Sequence, residues 1–464
     1  MAENNKINLL FIPYTFSNGG GAEKILQILV NNLSPEKYNI SIQEVEQFDK
    51  FLKLNENVKL HLAFFNQKLP FSSFSDLNFI LLNHFPSILK NVFRMNNNDV
   101  VITFNYQLPS FMLPSFINEK KVAWFHGDLY DLQDKSKKWE KQKQYQVWKY
   151  ADKIVSISNK SFQSLKDLFP EFISKTKIIH NGIDISNIKK LSEETVSFSN
   201  TDEPVIVCAG RLDENKNFSL AIKAISELQK QNLNCRLIII GEGEQKGLLE
   251  NLAKELGVSD KIIFAGYQSN PYKYISKAKL LCVTSISEGW PTVVMESMAL
   301  EIPFVTTPVS GASDELSWNE KCGLVAGYDE KEYASAIKKL LTDKDLYSQM
   351  SSNCMEHVKE YSAEQYVKNF EQLLEEIKTE KKSESFTIVG NIFSHILYFI
   401  MYIFSFGELF YRLQIILKRI KEKRIIKVIK NIIYLAGILI ILPVCLPLKC
   451  LYFPIYIRTI KSRI

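Results

Sequence analysis

The sequence predicts an α/β protein of two doubly wound, Rossmann-like domains facing across a cleft, followed by a C-terminal membrane-associated helical tail. Three observations carry this expectation. Short apolar runs alternate with helical patterns in two separate series, a polar stretch at about residues 186–204 parts the series, and beyond residue 380 the composition turns basic and apolar. At 464 residues the chain is also too long for one ordinary core. The expected division is an N-terminal domain over 1–195, a second domain over 196–380 and a tail over 381–464.

In the first series, residues 7–12 are a mostly apolar run closed by Pro13, the pattern of a buried parallel strand. The loop Ser17-Asn18-Gly19-Gly20-Gly21 follows, then a helical pattern over 22–33. Further strands are expected at 99–103, 121–125 and 153–157, with Ser158-Asn159-Lys160 capping a helix that runs to Leu168. His180-Asn181-Gly182 is a turn signal, and Ser, Glu, Asn and Asp dominate the linker behind it until Pro204. The second series has strands at 205–209, 236–240, 262–265, 280–284 and 304–306. Helices are expected at 220–230, 248–256 and 293–300, and helical patterns fill 330–378.

Charge is unevenly spread. Residues 381–464 hold fourteen Lys or Arg against three Glu, whereas the whole chain is only +6, so residues 1–380 are net acidic. An acidic body argues against nucleic acid as its partner, and a basic tail suits an anionic surface. Seven dispersed cysteines without a CxxC pair read as reduced thiols and give zinc no ligand set. The start offers about six mostly apolar residues before Pro13, too few for a signal peptide, so the body is expected in the cytoplasm.

The chemistry concentrates after the strand at 280–284. Residues 285–291 form the loop at its carboxyl end, where doubly wound sheets bind ligands. The first N–H groups of the next helix, at Thr292 and Val293, and its dipole suit a diphosphate, and Thr292 fits the N-cap preference. Glu288 precedes the helix and Glu296 lies in its second turn. Two carboxylates can accept several hydrogen bonds from sugar hydroxyls, although in isolation they read equally as a loop charge and a solvated helix residue.

The run from Glu288 to Glu296 resembles the Glu-x7-Glu signature of the family-4 (group 1) retaining glycosyltransferases, which have the GT-B fold. Its surroundings are similar as well. Gly210-Arg211-Leu212 with Lys216-Asn217, Gly241-Glu242-Gly243, Gly266-Tyr267, Pro308 to Ala312 and Gly323-Leu324-Val325 follow the family's order of landmarks. Asn270-Pro271-Tyr272 with Tyr274 is similar to the subgroup that builds bacterial surface polysaccharides. The resemblance is tight over about 200–375, looser over 7–190 and absent beyond 380.

The resemblance implies roles. Arg211 and Lys216 would hold the donor's diphosphate, two fixed cations doing what a metal ion does elsewhere. Glu296 would bind the ribose hydroxyls, and Glu288 would contact hydroxyls of the transferred sugar. Gly289, Trp290, Thr292 and Val293 would line the sugar–phosphate region, and Tyr267 would flank the base. In the first domain, Gly20-Gly21-Ala22-Glu23 is similar to the family's early glycine motif, where Gly21 would let the backbone approach a ligand. His126, in Trp124-Phe125-His126-Gly127-Asp128, corresponds to a histidine near donor sugar and acceptor, able to hydrogen-bond a hydroxyl or shuttle a proton. Asp128 is a companion or a helix cap, and His180 is read as structural. With Arg211 and Lys216 standing in for a metal, neither a metal nor another cofactor is expected.

The tail has an uncharged stretch over 385–407, twelve of whose residues are Phe, Ile, Leu or Val, and a second over 431–448. Between them residues 412–430 carry eight basic side chains and one Glu. Two simple spans would put this basic linker on the wrong side of the membrane, which favours segments lying on, or dipping into, the cytoplasmic leaflet; the alternative is a soluble helical extension.

Together these readings imply a retaining hexosyltransferase at the cytoplasmic face of the cell membrane. It would move a hexose or N-acetylhexosamine from a nucleotide sugar donor, with UDP favoured, to a polyprenyl-diphosphate-linked saccharide acceptor in surface polysaccharide synthesis. The alternatives are a sugar-nucleotide epimerase of the same fold and a non-catalytic partner that stabilises another glycosyltransferase.

Overall fold

The computed structural model describes residues 6–17, 20–48, 52–61, 63–66, 82, 86–196 and 203–379, all within one compact unit. The tail expected over 381–464 lies outside these residues. Among the described residues no helix is long and apolar enough to cross a membrane.

The first domain is built on a seven-stranded parallel sheet. Its strands are β1 (Ile7–Ile12), β2 (Tyr38–Ile42), β3 (Val58–Leu60), β4 (Val100–Thr103), β5 (Lys120–Phe125), β6 (Lys153–Ser156) and β7 (Thr176–Ile178). They lie in the order β3-β2-β1-β4-β5-β6-β7, so the order reverses between β1 and β4. The second domain has six parallel strands: β8 (Val205–Ala209), β9 (Arg236–Ile240), β10 (Ile262–Gly266), β11 (Leu280–Val283), β12 (Phe304–Thr306) and β13 (Gly323–Val325). Their order is β10-β9-β8-β11-β12-β13, with the reversal between β8 and β11, where Val207 is registered against both Ile238 and Leu281. Helices cover both sheets, so the central strands are apolar throughout. All four residues of β11 are buried.

Connections between strands set the helices. α1 (Gly21–Asn32) starts at Gly20, and the N–H of Gly20 is bonded by the Glu23 carboxylate, the reach-back half of a capping box. α2 (Pro86–Val92) and α3 (Lys138–Trp148) follow. α4 (Asn159–Leu168) is capped as expected by Ser158, whose hydroxyl accepts from the Ser161 N–H.

The polar stretch read as a linker is partly helix. α5 (Ile185–Ser192) is capped by Asp184, which accepts from the Asn187 N–H, and buries Ile188. It docks on the second domain, where the Asn270 side chain donates to Leu191 O and Lys273 pairs with Glu194. The second domain continues with α6 (Phe218–Lys230), α7 (Lys246–Glu255), the single turn α8 (Tyr272–Ile275), α9 (Thr292–Ala299), α10 (Glu330–Thr342) and α11 (Lys344–His357).

The last described helix, α12 (Ala363–Thr379), returns to the first domain and packs along α1. Phe370 sits 5.8 Å from the ring of Phe11 and 6.0 Å from that of Trp124, while Lys177 pairs with Glu376 at 2.6 Å. The two chain crossings lie side by side. Ile183 donates to Tyr361 O at 2.9 Å and accepts from the Ala363 N–H at 2.8 Å. One apolar cluster consequently runs from Phe11 and Trp124 in the first domain to Trp290 and Met295 in the second.

Candidate functional site

The carboxyl ends of β10, β9, β8 and β11 are neighbours, so the loops that follow them converge at the point of strand reversal. The loop after β11 is locked to the loop after β8. Asn215 O accepts from the Ile286 N–H at 2.8 Å, and its side chain exchanges two bonds with Ser287. Thr284 Oγ1 donates to Lys216 O at 2.8 Å, and Thr307 Oγ1 donates to Ser285 O at 2.6 Å. Tyr328 reaches over from beyond β13 to donate to Ile286 O.

This zipper brings Lys216 Nζ onto Glu288 Oε1, a carboxylate oxygen that also accepts from Ser285 Oγ at 2.8 Å. Both members of the ion pair are largely buried, 22% and 14% exposed. Arg211 is brought to the same loop but remains outward, its Nε donating to Asp213 at 2.8 Å. Asp213 also accepts from the Lys216 N–H, which fixes the turn between the two cations.

The helix behind Glu288 is capped one residue earlier than expected. Pro291 occupies the N-cap position and Thr292 the first helical one, with no side-chain cap bond. Pro291 has the extended backbone that this position requires, which leaves Thr292 inside the helix. The helix nonetheless points the N–H groups of its first turn, at Thr292 and Val293, into the loop side. Glu296 is buried one turn on. Burial pushes its carboxyl above the ordinary range, opposed by the nearby Lys24 ammonium and by a hydrogen bond from the Tyr272 hydroxyl. Lys24 lies on α1 of the first domain, so charges from both domains meet here. Tyr267 stands exposed immediately after β10.

Gly289 lies tight against the first domain. A Cβ there would lie 2.8 Å from His126 O and 2.9 Å from Gly127 Cα, so only glycine fits against that backbone. His126 follows β5, its ring 4.3 Å from that of Phe104 and stacked 6.1 Å from Trp124. Among the described residues both of its ring nitrogens are buried without a partner. Burial lowers its pKa to about 3, so at neutral pH the imidazole is uncharged and offers one N–H and one lone pair. Asp128 accepts from the Tyr130 N–H at the start of a short turn. Among the described residues nothing lies within 4 Å of where a Cβ on Gly21, the first residue of α1, would be.

The Trp290 side chain turns away from the loop surface into the core. It stacks on His180 at 4.8 Å, lies 5.4 Å from Tyr361, and donates from Nε1 to Met295 Sδ. Gly311 makes room for it, since a Cβ there would meet the indole at 2.7 Å. Sequence reasoning missed Ser285, Asn215 and Lys24. Only Lys24 carried a signal, its place directly after the Gly20–Glu23 motif.

Residues 190–357 match the family model described as glycosyl transferases group 1. The chain is 27% identical over 350 residues to a Campylobacter jejuni N-acetylgalactosamine-N,N'-diacetylbacillosaminyl-diphospho-undecaprenol 4-alpha-N-acetylgalactosaminyltransferase, covering 70% of this chain and 88% of the relative. A second C. jejuni protein, GalNAc-alpha-(1->4)-GalNAc-alpha-(1->3)-diNAcBac-PP-undecaprenol alpha-1,4-N-acetyl-D-galactosaminyltransferase, is 26% identical over 351 residues, 74% of this chain and 92% of that one. Among solved structures, Anabaena HepE in complex with UDP and glucose superposes with a TM-score of 0.64 at 19% identity, covering 80% of this chain and 99% of HepE. WaaG, a glycosyltransferase involved in lipopolysaccharide biosynthesis, superposes with a TM-score of 0.61 at 14% identity over 79% of this chain and 99% of WaaG. Residues 190–357 are therefore similar to the group 1 glycosyltransferases, and the chain has a GT-B-like fold of two parallel sheets.

Proposed function

We propose that the protein is a family-4 retaining hexosyltransferase that moves a hexose or N-acetylhexosamine from a UDP-linked donor to a polyprenyl-diphosphate-linked saccharide in bacterial surface polysaccharide assembly. The observation that carries this reading is the meeting of the Lys216–Glu288 pair with His126 across Gly289, at the strand reversal of the second sheet. The C. jejuni relatives, whose names specify undecaprenol-linked substrates, support the choice of acceptor.

On this reading the donor lies along the loop after β11. Its diphosphate meets the first turn of α9, Lys216 and Arg211, so side chains rather than a metal ion neutralise the charge left as the glycosidic bond breaks. Lys216 is already held by Glu288, and a diphosphate oxygen joins that ammonium without a long side-chain rearrangement. Glu288 is then oriented toward the sugar hydroxyls, and Glu296 toward the ribose. Neutral His126 contributes a hydrogen bond where its two unpaired nitrogens face inward. Retention follows when the acceptor hydroxyl attacks from the face that the diphosphate leaves, passing its proton to a diphosphate oxygen. No side-chain nucleophile is required. Contact between the domains at Gly289 excludes water and favours transfer over hydrolysis.

A binding panel of nucleotide sugars, followed by mass spectrometry of lipid-linked products, tests the reading. Expected is preferential binding of UDP-sugars and a lipid-linked saccharide one hexose or N-acetylhexosamine longer. An epimerised nucleotide sugar formed without acceptor would refute it.

A further inference from the structure

Glu315 lies outside the donor loop, on a segment with unusual backbone. Residues Ala312–Leu316 form a turn of π-helix behind Gly311, and Trp318, Asn319 and Glu320 follow with φ of 51°, 54° and 60°. Three successive left-handed residues, two of them neither glycine nor asparagine, are costly and persist only where the surroundings hold them. His357 helps do so, its Nε2 bonded to Glu315 O at 2.8 Å.

What this strained segment presents is a carboxylate aimed into the first domain. The Glu315 side chain is 8% exposed, and the Asn159 N–H lies 3.1 Å from both of its oxygens, at the N-terminus of α4. Beside it the hydroxyls of Ser158 and Ser310 bond across the same junction at 3.0 Å. His180 completes the arrangement. Its Nδ1 is 3.0 Å from Ile157 O, and a carbonyl can only accept, so Nδ1 carries the hydrogen. A neutral ring therefore turns a bare Nε2 lone pair toward Glu315 Oε1, 3.4 Å away. Two acceptors face each other unless one proton lies between them. The other face of the His180 ring is stacked against Trp290, within the donor loop.

We propose that Glu315 is a positioning residue: with His180 it forms a clasp, closed only while the two side chains share one proton, that ties α4 of the first domain to the loop carrying Glu288. In the closed clasp the Glu315 carboxyl donates to His180 Nε2 and accepts from the Asn159 N–H. In the open one the proton has gone to water and the carboxylate faces the imidazole lone pair.

The charged and titratable neighbours favour the proton. Asp314 adjoins Glu315, Glu360 approaches from beyond α11, and the buried Tyr361 phenol lies against the His180 ring. Burial first, then Asp314, pushes Glu315 up to about 8 against the bond from Asn159. Burial pushes His180 down, so the proton rests on the carboxyl. The sign follows from the raised value. The clasp is closed below about 8 and is lost as pH rises through that value.

The test is amide-exchange protection of residues 159–162 in the full-length protein, corrected for intrinsic rate, from pH 6 to 9.5. Wild type is expected to lose about tenfold protection across this range, comparable to removing one helix cap. Glu315→Gln supplies a donor and an acceptor without a titrating proton, and should keep protection high and flat. Glu315→Ala should abolish it at every pH. UDP affinity measured alongside should fall severalfold in Glu315→Ala and hold in Glu315→Gln. This second readout rests on the nucleotide-sugar reading: absence of UDP binding in wild type would count against that reading, while the exchange pattern still decides the clasp. Flat wild-type protection, or the same pH response in Glu315→Gln, would overturn the proposal.

Discussion

Replacing Gly289 by alanine probes a tight contact between the two domains. The added methyl would sit 2.8 Å from His126 O and 2.9 Å from Gly127 Cα, both backbone atoms that cannot swing aside. An ordinary carbon contact is about 3.5–4.0 Å, so the loop must withdraw by roughly 1 Å. Within a single core such overpacking costs about 1–3 kcal/mol. Here the strain has an outlet, because the domains can part slightly. The thermal midpoint should therefore move little, while the catalytic geometry suffers. A displacement of about 1 Å at a reacting centre costs about a hundredfold in rate. The assay is UDP release with a lipid-linked acceptor, read as kcat/KM, with circular dichroism as the folding control. Gly21→Ala is the companion measurement, since its Cβ meets nothing within 4 Å among the described residues. Its stability should be unchanged, so any lost activity there reports a ligand. Wild-type kcat/KM in Gly289→Ala would refute the account of a closed cleft at this point.

Other perturbations separate the parts of the site. Glu288→Ala should lower kcat about 100-fold or more by removing a hydrogen-bonding carboxylate from the sugar, and unchanged polysaccharide synthesis in this variant would favour a non-catalytic partner role. Combined with Lys216→Ala in a double-mutant cycle, it should show non-additivity of at least about 0.5 kcal/mol, because the two side chains are in contact. Tyr272→Phe removes a bond that lowers the Glu296 carboxyl, so its already raised pKa should rise further. Nucleotide binding that needs the ionised carboxylate should then weaken at a higher pH than in wild type as the solution is acidified, by calorimetric titration. Deleting residues 385–464 should release the body from membranes in a flotation assay, and a truncated protein still fully bound would refute the tail's role.

The second domain was legible because parallel strands buried on both faces read as unbroken apolar runs. Arg236–Ile240 and Phe304–Thr306 fall where the pattern put them. β2 was not visible, since its Tyr-Asn-Ile-Ser-Ile run alternates burial along one face and offers no continuous apolar stretch. The helix at Ile185–Ser192 was hidden for a related reason: Ile188 is its one buried residue, and the rest is polar enough to pass for a linker. At the site, the order of Arg211, Lys216, Glu288 and Glu296 could be read, but their partners could not. That Lys216 sits on Glu288, that Trp290 turns inward to His180, and that Lys24 approaches Glu296 from the other domain all depend on packing between segments distant in sequence.

The return of α12 changes what counts as a separable piece of this chain. A chimera that joins this first domain to a foreign second domain at a single seam near residue 190 would strand Phe11 and Trp124 without Phe370, and leave Lys37 and Lys177 without Glu371 and Glu376. The transplantable half is discontinuous in sequence: it needs the C-terminal helix carried along with the N-terminal sheet. Exchange of donor specificity between relatives is accordingly simplest as a two-junction graft, one junction near Ile183 and the other near Ser362, where the chain crosses twice within hydrogen-bonding distance.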